Sequence, residues 1–322
     1  MHNAICMAVA DIGPRSRGAR RHACPSMAAM AQSGYSRGQG MGLAFVLVWC
    51  TGYIAGKLAV AHGAPFTVLA WRFGITALLF AGMGLALRAR WPTWTQAAHS
   101  AVAGVLMLAC HFGGVYWAFL HGANAGISAL VIGCMPLLVA VMSAASGQER
   151  LDRRGWLGLG IGLAGVAMVV ADRLEPAASA AAWIGLGVGL VGIALGTVYQ
   201  KRHASAVDPR CGLAVQNAAA ALVLLPFAAG EGFAHDAGTA FLGPLAWLVV
   251  VNSIGGFTLL FMLIRRGAAA SVASLFFLMP AVTAMMGRAW FGEPVTWTKA
   301  AGFVLSAAGV WLTTHAARRQ PD

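Results

Sequence analysis

Charged residues, and acidic residues above all, are scarce in this sequence. Among 322 residues there are 10 Asp and Glu beside 22 Lys and Arg. The charged fraction is 10%, whereas soluble domains have about 25%. Hydrophobic residues make up 59% of the chain. A soluble fold of this size could not cover its surface with so few charges. The composition therefore predicts an all-α polytopic membrane protein.

Motifs for metal binding and redox chemistry are also missing. The six cysteines form no CxxC pair, so we interpret them as small apolar packing residues rather than as a metal site or a disulfide framework. The glycines at 158, 160 and 162 lie within a predicted membrane span instead of after a strand, which excludes a nucleotide-binding loop. The sequence thus predicts neither a metal nor a cofactor.

Long apolar runs, by contrast, are abundant. A helix needs about 20 apolar residues to cross the roughly 30 Å hydrocarbon core of a bilayer. Ten segments come close to this length, and the predicted spans are 41–61, 66–87, 97–120, 123–146, 155–171, 182–200, 212–229, 241–264, 269–291 and 298–315. Residues 1–40 place several arginines among Gly, Ser and Pro, which predicts a disordered, basic cytoplasmic extension; residues 317–322 are predicted to form a cytoplasmic tail.

Lys and Arg are distributed unevenly over the short loops. With the N-terminus in the cytoplasm, the inner loops and the tail carry twelve of them, and the outer loops carry two, Arg173 and Lys299. Because basic loops stay on the cytoplasmic side, both termini are predicted to be cytoplasmic. The basic excess therefore reflects topology and contact with anionic lipid headgroups of the bilayer, and we predict no nucleic-acid partner.

The second half of the chain repeats the first at an offset of about 144 residues. This shift superposes, without a gap, Gly52 on Gly196, Lys57 on Lys201, Arg72 on Gln216, Pro136 on Pro280, Glu149 on Glu293, Gly158 on Gly302 and Gly165 on Gly309. Five spans per half is an odd number, so the repeats over 41–175 and 182–316 must lie in the bilayer with opposite orientations. Inverted repeats are characteristic of secondary transporters, whose substrate site lies near the midplane between the halves.

The order of short motifs in each half resembles the EamA-type members of the drug/metabolite transporter superfamily. In the first half these motifs are Ala125–Leu130, Met135-Pro136, Glu149, Gly158 and Gly165; in the second they are Ala270–Leu275, Met279-Pro280, Glu293, Gly302 and Gly309. The resemblance covers about residues 41–316. It implies a carrier of the bacterial inner membrane that works by alternating access and exports metabolites such as amino acids. The span-one carboxylate that small multidrug members use for proton coupling has no counterpart here.

Three basic residues lie inside predicted spans and away from the terminal residues of those spans, where a charge is costly and a functional role is the first hypothesis. Lys57, Arg72 and Arg288 could form a cationic lining that attracts a carboxylate or phosphate of the cargo. The alternative is that the long side chains reach the membrane surface, and it suits Lys57 and Arg288 better than the deeper Arg72. No acidic residue lies deep in a predicted span, which favours neutral, zwitterionic or anionic cargo.

His111 is the deepest titratable residue, half-way along the third predicted span. Because histidine changes charge near neutral pH, His111 could carry a coupling proton. The alternative is a hydrogen bond to a neighbouring helix. Neutral polar residues complete the predicted lining, with interhelical hydrogen bonding as their alternative role: Tyr53, Tyr116, Gln216, Asn217 and Asn252.

Pro136 and Pro280 occupy matching places in the fourth and ninth predicted spans. A proline inside a helix loosens the preceding turn, so the pair could form two related hinges or could simply kink the helices to fit their packing.

The sequence features are consistent with three alternative functions, which experiments can distinguish. The first is a secondary active transporter that moves small polar metabolites, namely amino acids or related zwitterions and anions, by alternating access. The second is an efflux carrier for drugs or lipophilic cations, suggested by the aromatic content. The third is an intramembrane enzyme acting on a lipid with His111 as base, although the sequence offers no HExxH motif beside it. The sequence leaves cargo identity, transport direction, coupling ion and oligomeric state open.

Overall fold

The structure is a computed structural model that describes residues 25–145, 153–171, 179–259 and 279–317. The predicted extension before residue 25, the loop with Glu149 and the tail after residue 317 lie outside these ranges. The chain divides into two units, residues 1–39 and 40–322. The first unit includes the beginning of helix α1, and all contacts given below lie within the second.

The described residues form helices and turns, apart from one isolated antiparallel bridge between Gly63 and His235. In the first half the helices are α1 (Pro25–His62), α2 (Pro65–Ala86), α3 (Trp94–Gly104), π1 (Val105–Cys110), α4 (His111–Leu120), α5 (Ala125–Gly133), α6 (Met135–Ala145) and α7 (Arg153–Ala171). In the second half they are α8 (Ala180–His203), α9 (Pro209–Gly230), α10 (Thr239–Trp247), π2 (Leu248–Gly256), α11 (Met279–Phe291) and α12 (Trp297–Ala317).

Six described helical segments are long and apolar enough to cross a membrane. They are Gly40–His62, Pro65–Ala86, Trp94–Leu120, Ala180–His203, Pro209–Gly230 and Thr239–Leu259, and they coincide with predicted spans one, two, three, six, seven and eight. The prediction of a helical membrane protein is confirmed for the described residues, whereas the count of ten spans stays a prediction. Helix α1 begins at Pro25, so residues 25–40 are helical, which differs from the disordered extension predicted there.

The fourth predicted span is divided into two helices. Helix α5 ends at Gly133, Cys134 forms a turn, and α6 begins at Met135, directly before Pro136. This break has a simple cause, because proline lacks the N–H that would continue the helical hydrogen bonds through this turn. Pro280 lies on α11 and is buried. A β-carbon at Gly133 would lie 3.0 Å from Cγ of Pro280, so the second proline packs beside the break made by the first.

Local signals explain where several helices begin. Pro65 and Pro209 occupy the first turns of α2 and α9, where a missing N–H carries no penalty. Asp208 caps α9 by accepting from the Arg210 backbone N–H at 3.0 Å. The Arg210 side chain also donates to this carboxylate, and this hydrogen bond lowers the pKa of Asp208. These local contacts fix where α2 and α9 begin.

Helices α7 and α12 cross at glycines. Gly309 lies against the backbone of Gly162, and Gly165 lies against Ser306 and the Gly302 carbonyl. Ser306 Oγ donates to the Gly162 carbonyl at 3.4 Å, and these two residues are 144 positions apart. Each contact on one helix therefore has its counterpart on the other at the repeat offset. Small residues allow this close approach in membranes, where packing rather than hydrophobic burial drives association.

We expect Gly165→Leu to prevent assembly, because a β-carbon there would lie 2.7 Å from the Gly302 carbonyl oxygen. Overpacking of this kind typically costs about 1–3 kcal/mol and occasionally more, because side chains and backbone must shift. Gly160→Leu on the same helix is the control, since nothing lies within 4 Å of a β-carbon at Gly160. Thermal unfolding and size-exclusion profiles in detergent measure the difference. Equal stability of the two variants would contradict this crossing.

Two membrane helices contain π-helical turns at equivalent positions. π1 covers Val105–Cys110 and π2 covers Leu248–Gly256. Shifted by 144 residues, π1 falls over 249–254, inside π2. A π-helical turn widens the helix and often occurs at functional sites. Both segments contribute buried residues to the bundle, namely Leu108 and Ala109 from π1 and Leu248 from π2.

Candidate functional site

A small cavity lies where α1, α2, α4 and π2 meet, and we call it the central cavity; its wall combines aromatic side chains with several polar ones. Its volume is about 30 Å³, which is room for about one or two water molecules. Ligand pockets usually measure about 300–1,000 Å³, so the described conformation is contracted around this site. The lining residues are Trp49, Gly52, Tyr53, Arg72, His111, Phe112, Val115, Tyr116, Phe119, Asn252 and Phe257.

Arg72 provides the charge of the central cavity. Its side chain extends from α2 and is only 4% exposed. Arg72 Nη1 donates to Tyr116 Oη at 3.2 Å, and Nε donates to Ser253 Oγ at 3.4 Å. Both acceptors are neutral, and no carboxylate of the described residues pairs with this guanidinium. The cavity therefore holds a positive charge that hydrogen bonds orient but do not neutralise.

Aromatic rings fix the guanidinium from the other sides. Arg72 Cζ lies 4.4 Å from the Phe112 ring centroid, within the distance of a cation–π interaction. The Tyr116 ring packs edge-on against Phe112 and lies on Gly56 of α1. A β-carbon at Gly56 would approach Tyr116 Oη to 2.8 Å, so glycine is what allows Tyr116 to reach Arg72.

His111 lines the cavity, and it also makes the interhelical hydrogen bond that was the alternative to proton transfer. Its Nδ1 lies 3.2 Å from the Gly189 carbonyl oxygen of α8, so the neutral ring carries its proton on Nδ1 and its lone pair on Nε2. Gly189 allows this approach because a β-carbon there would meet the His111 backbone at 2.9 Å. A proton-coupling role stays a prediction, and it would involve Nε2.

Asn252 enters the cavity from π2. Its Nδ2 donates to the Val48 carbonyl of α1 at 2.6 Å, and its amide lies on Gly52, where a β-carbon would be 2.9 Å from Nδ2. Ser253, the next residue, is the Arg72 acceptor. The widened π-helical turn thus directs two consecutive polar side chains toward α1 and α2, and so connects the second half of the chain to the first.

Lys57 does not line the central cavity but forms an ion pair at the end of the bundle where α1 stops. Lys57 Nζ lies 2.5 Å from Glu293 Oε1, with side chains 27% and 10% exposed. The same oxygen accepts from the Ala125 backbone N–H at 3.2 Å, at the positive end of α5. Gly292, with φ of 68°, ends α11 and turns Glu293 back against Gly287. We call Lys57, Ala125, Gly287 and Glu293 the Glu293 cluster.

Further contacts join the two halves at this same end. The Glu231 carboxylate caps α2 by accepting from the backbone N–H groups of Phe66 at 3.2 Å and Thr67 at 2.8 Å. His62 Nδ1 lies 3.0 Å from Asp236 Oδ2, in a pair that is well exposed. Together with the Glu293 cluster, these contacts link α1, α2 and α5 to the second half of the chain at the Lys57 end.

A larger cavity lies toward the opposite end, and we call it the Gln216 cavity. Its volume is about 240 Å³. Gln216 Nε2 donates to Gln200 Oε1 at 3.1 Å on its wall. Phe257 lines this cavity and the central cavity alike, so the two cavities are neighbours. The described conformation is therefore wider toward the Lys201 end than toward the Lys57 end.

The structure brings together five of the nine predicted site residues: Tyr53, Arg72, His111, Tyr116 and Asn252. Asn217 is buried, but its Nδ2 donates to the Leu213 carbonyl within α9 at 2.8 Å, which is local helix bonding. Arg288 is exposed on α11, in accord with the alternative that its side chain reaches the membrane surface. The two prolines lie away from the cavity.

Sequence reasoning missed Ser253 and the role of Glu293. Glu293 was noted as a repeat position and as a motif residue but without a partner, although the repeat offset aligns both members of the pair, Lys57 with Lys201 and Glu149 with Glu293. That alignment was the available signal. For π2, Gly255 and Gly256 after Ser253 predict a loosened turn, whereas the sequence of π1 contains no glycine.

A further cavity lies outside the candidate site. It measures about 620 Å³ between α2 and α9 on the bundle surface, and apolar side chains such as Trp71, Leu78 and Leu222 line it. An apolar surface is what a membrane-facing helix pair must present, and the groove contains none of the predicted site residues.

Comparison with known proteins identifies relatives of this bundle. The model of the EamA-like transporter family matches the chain twice, over residues 36–171 and 179–315. YvbV of Bacillus subtilis (strain 168), described as an uncharacterized transporter, is 27% identical over 287 residues, which are 86% of this chain and 92% of YvbV. YedA of Escherichia coli (strain K12), described as an uncharacterized inner membrane transporter, is 26% identical over 255 residues, 79% of this chain and 82% of YedA.

A solved protein crystal structure has the same fold. The match covers 88% of this chain and 99% of the chain in that crystal structure, with a TM-score of 0.62. Because the two sequences are only 22% identical, this likeness concerns the fold alone. The family and the relatives are described as transporters and not as enzymes. The two family matches confirm the resemblance found in the sequence motifs. The protein belongs to the EamA-like transporter family.

Proposed function

We propose that this transporter moves small polar metabolites that carry a carboxylate, namely amino acids and related zwitterions or anions, across the membrane by alternating access. The observation that carries the proposal is Arg72, a guanidinium buried in the central cavity whose described partners are all neutral.

Electrostatics favours an anionic group beside Arg72. A buried charge is costly unless an opposite charge compensates it. Tyr116 and Ser253 supply hydrogen-bond acceptors but no negative charge. A cargo carboxylate could accept paired hydrogen bonds from the guanidinium and neutralise it. A lipophilic cation would meet repulsion at the same place, so the geometry supports metabolite transport better than drug efflux.

Alternating access between inverted repeats is supported by the paired features of the two halves. The Ser306–Gly162 contact joins two residues at the repeat offset, and the π-helical turns occupy equivalent positions. Two related halves that meet in this way can exchange their conformations, which opens the site first to one side and then to the other.

The membrane and the orientation belong to the same proposal. The description of YedA supports the bacterial inner membrane, and the basic loops support cytoplasmic termini. In this orientation the Glu293 cluster lies at the outer surface, and the Gln216 cavity opens toward the cytoplasm. The described conformation would then receive cargo from the cytoplasm, as an exporter requires.

A flux assay on the full-length protein in liposomes tests the proposal. Exchange of labelled amino acids, simple carboxylates and lipophilic cations is compared with protein-free liposomes, with and without an imposed proton gradient. We expect exchange of at least one carboxylate-bearing solute. Transport of cations together with none of the carboxylates would contradict the proposal. An effect of the gradient that disappears in His111→Gln would support proton coupling.

A further inference from the structure

Asn252 has a buried acceptor that the described protein does not use. The residue is 7% exposed, and its Oδ1 has no hydrogen-bond donor among the described residues. The orientation of the amide is fixed by its other end, because Nδ2 donates to the Val48 carbonyl at 2.6 Å. A flipped amide would place two oxygens against each other, so Oδ1 is the free atom.

A buried acceptor without a donor destabilises the fold, and such groups are rare in native proteins. Here the acceptor belongs to a residue of the central cavity, and the neighbouring Ser253 contacts Arg72. The cavity wall therefore carries a donor with a positive charge and an acceptor without a partner. These two groups match the two ends of a zwitterion, whose carboxylate needs donors and whose ammonium needs acceptors.

We propose that Asn252 is a specificity-determining residue whose Oδ1 accepts a hydrogen bond from the cargo ammonium while Arg72 binds the cargo carboxylate. The inference rests on the proposed function and narrows the cargo class. A site that binds both the carboxylate and the ammonium prefers an α-amino acid to the carboxylic acid that lacks the amine. A site built to hydrogen-bond a substrate group rejects the analogue that lacks it, since the site's own polar group is then left unpaired.

The test compares each transported amino acid with its deaminated acid, for example alanine with propionate and leucine with 4-methylpentanoate. Binding and exchange are measured for the full-length protein, for Asn252→Ala and for Asn217→Ala. We expect the wild type to prefer the amino acid by about tenfold or more. In Asn252→Ala this ratio should fall toward one through weaker binding of the amino acid alone. Asn217→Ala is the matched control, because Asn217 bonds within its own helix, and it should keep the wild-type ratio.

The outcomes separate this inference from the proposed function. If wild-type protein transports both members of a pair equally well, the proposed function stands and the role of Asn252 is overturned. A ratio that is unchanged in Asn252→Ala overturns it as well. If neither member of any pair is bound or transported, the proposed function is wrong, and the inference about Asn252 is wrong as well. Should Asn252→Ala fail to assemble, Asn252→Leu decides, because leucine has the same branching as asparagine but no acceptor. In this variant too the ratio must fall toward one, and an unchanged ratio overturns the inference.

Discussion

Arg72→Ala is expected to weaken binding of carboxylate-bearing cargo by about 30-fold or more, because truncating one partner of a buried, hydrogen-bonded charge pair costs about 2–5 kcal/mol. The guanidinium is the charged group of the central cavity, and it is 4% exposed. Affinity of the purified protein for cargo, and cargo exchange in liposomes, both measure the loss. Arg72→Lys should restore part of the affinity, since it keeps the charge but not the planar pair of donors.

Arg288→Ala is the matched control for this change. It removes the same side chain from a membrane helix at an exposed position outside the cavity. Cargo affinity should therefore stay at the wild-type value. Normal transport by Arg72→Ala in protein of normal stability would remove the charge argument on which the cargo class depends. Equal losses in the two variants would instead indicate that the overall positive charge matters and not the position of Arg72.

Glu293→Gln is expected to open the Lys57 end of the bundle. Breaking a fully buried ion pair by neutralising one partner costs about 3–5 kcal/mol, and the partly exposed Lys57–Glu293 pair should lose less than this. Glu293 loses its charge beside both Lys57 and the N-terminus of α5. The conformations would then shift toward one that admits solvent from this end. In a cysteine-free background, Tyr53→Cys should react about tenfold faster with an impermeant maleimide added outside, since tenfold requires a shift of only about 1.4 kcal/mol.

A double-mutant cycle with Lys57→Met shows whether the ion pair itself is responsible. The labelling rate of the double variant should exceed that of Glu293→Gln only slightly, because both substitutions remove the same interaction. His62→Ala is the control at the same end, because the His62–Asp236 pair is 39% and 68% exposed, and exposed pairs contribute about 0–1 kcal/mol. A rate that is unchanged by Glu293→Gln, or raised equally by His62→Ala, would contradict a closing role for the Glu293 cluster.

Sequence reasoning predicted the charge of the central cavity because depth in the membrane can be estimated from position along a span. Arg72 was predicted to lie deeper than Lys57 and Arg288, and the structure places only Arg72 in the cavity. Lys57 was predicted without its partner, because Glu293 is 236 residues away and its approach depends on the left-handed turn at Gly292. Burial depth follows from local sequence, whereas pairing across the bundle does not.

For the neutral polar residues, too, the sequence predicted depth in the membrane but not the hydrogen-bond partner. Tyr116, Gln216, Asn217 and Asn252 were equivalent candidates by composition and by depth. In the structure Tyr116 bonds to Arg72, Gln216 bonds to Gln200, and Asn217 bonds to its own helix. Which partner each side chain finds depends on how its helix is rotated and on local π-helical winding, and hydropathy carries no information about either.

The amino-acid sequence by itself determined that the chain crosses a membrane, that its halves are related and that its embedded charges are basic. These properties follow from apolar length, from residue identity at a fixed offset and from the cost of burying charge. Tertiary structure decided which of the embedded groups meet. It placed Arg72 and Asn252 in one cavity and Lys57 with Glu293 at one end, because glycines at 52, 56 and 287 let the helices and side chains approach closely. Side-chain contact requires such close approach, and the distance between helices is a property of their packing and not of any one helix.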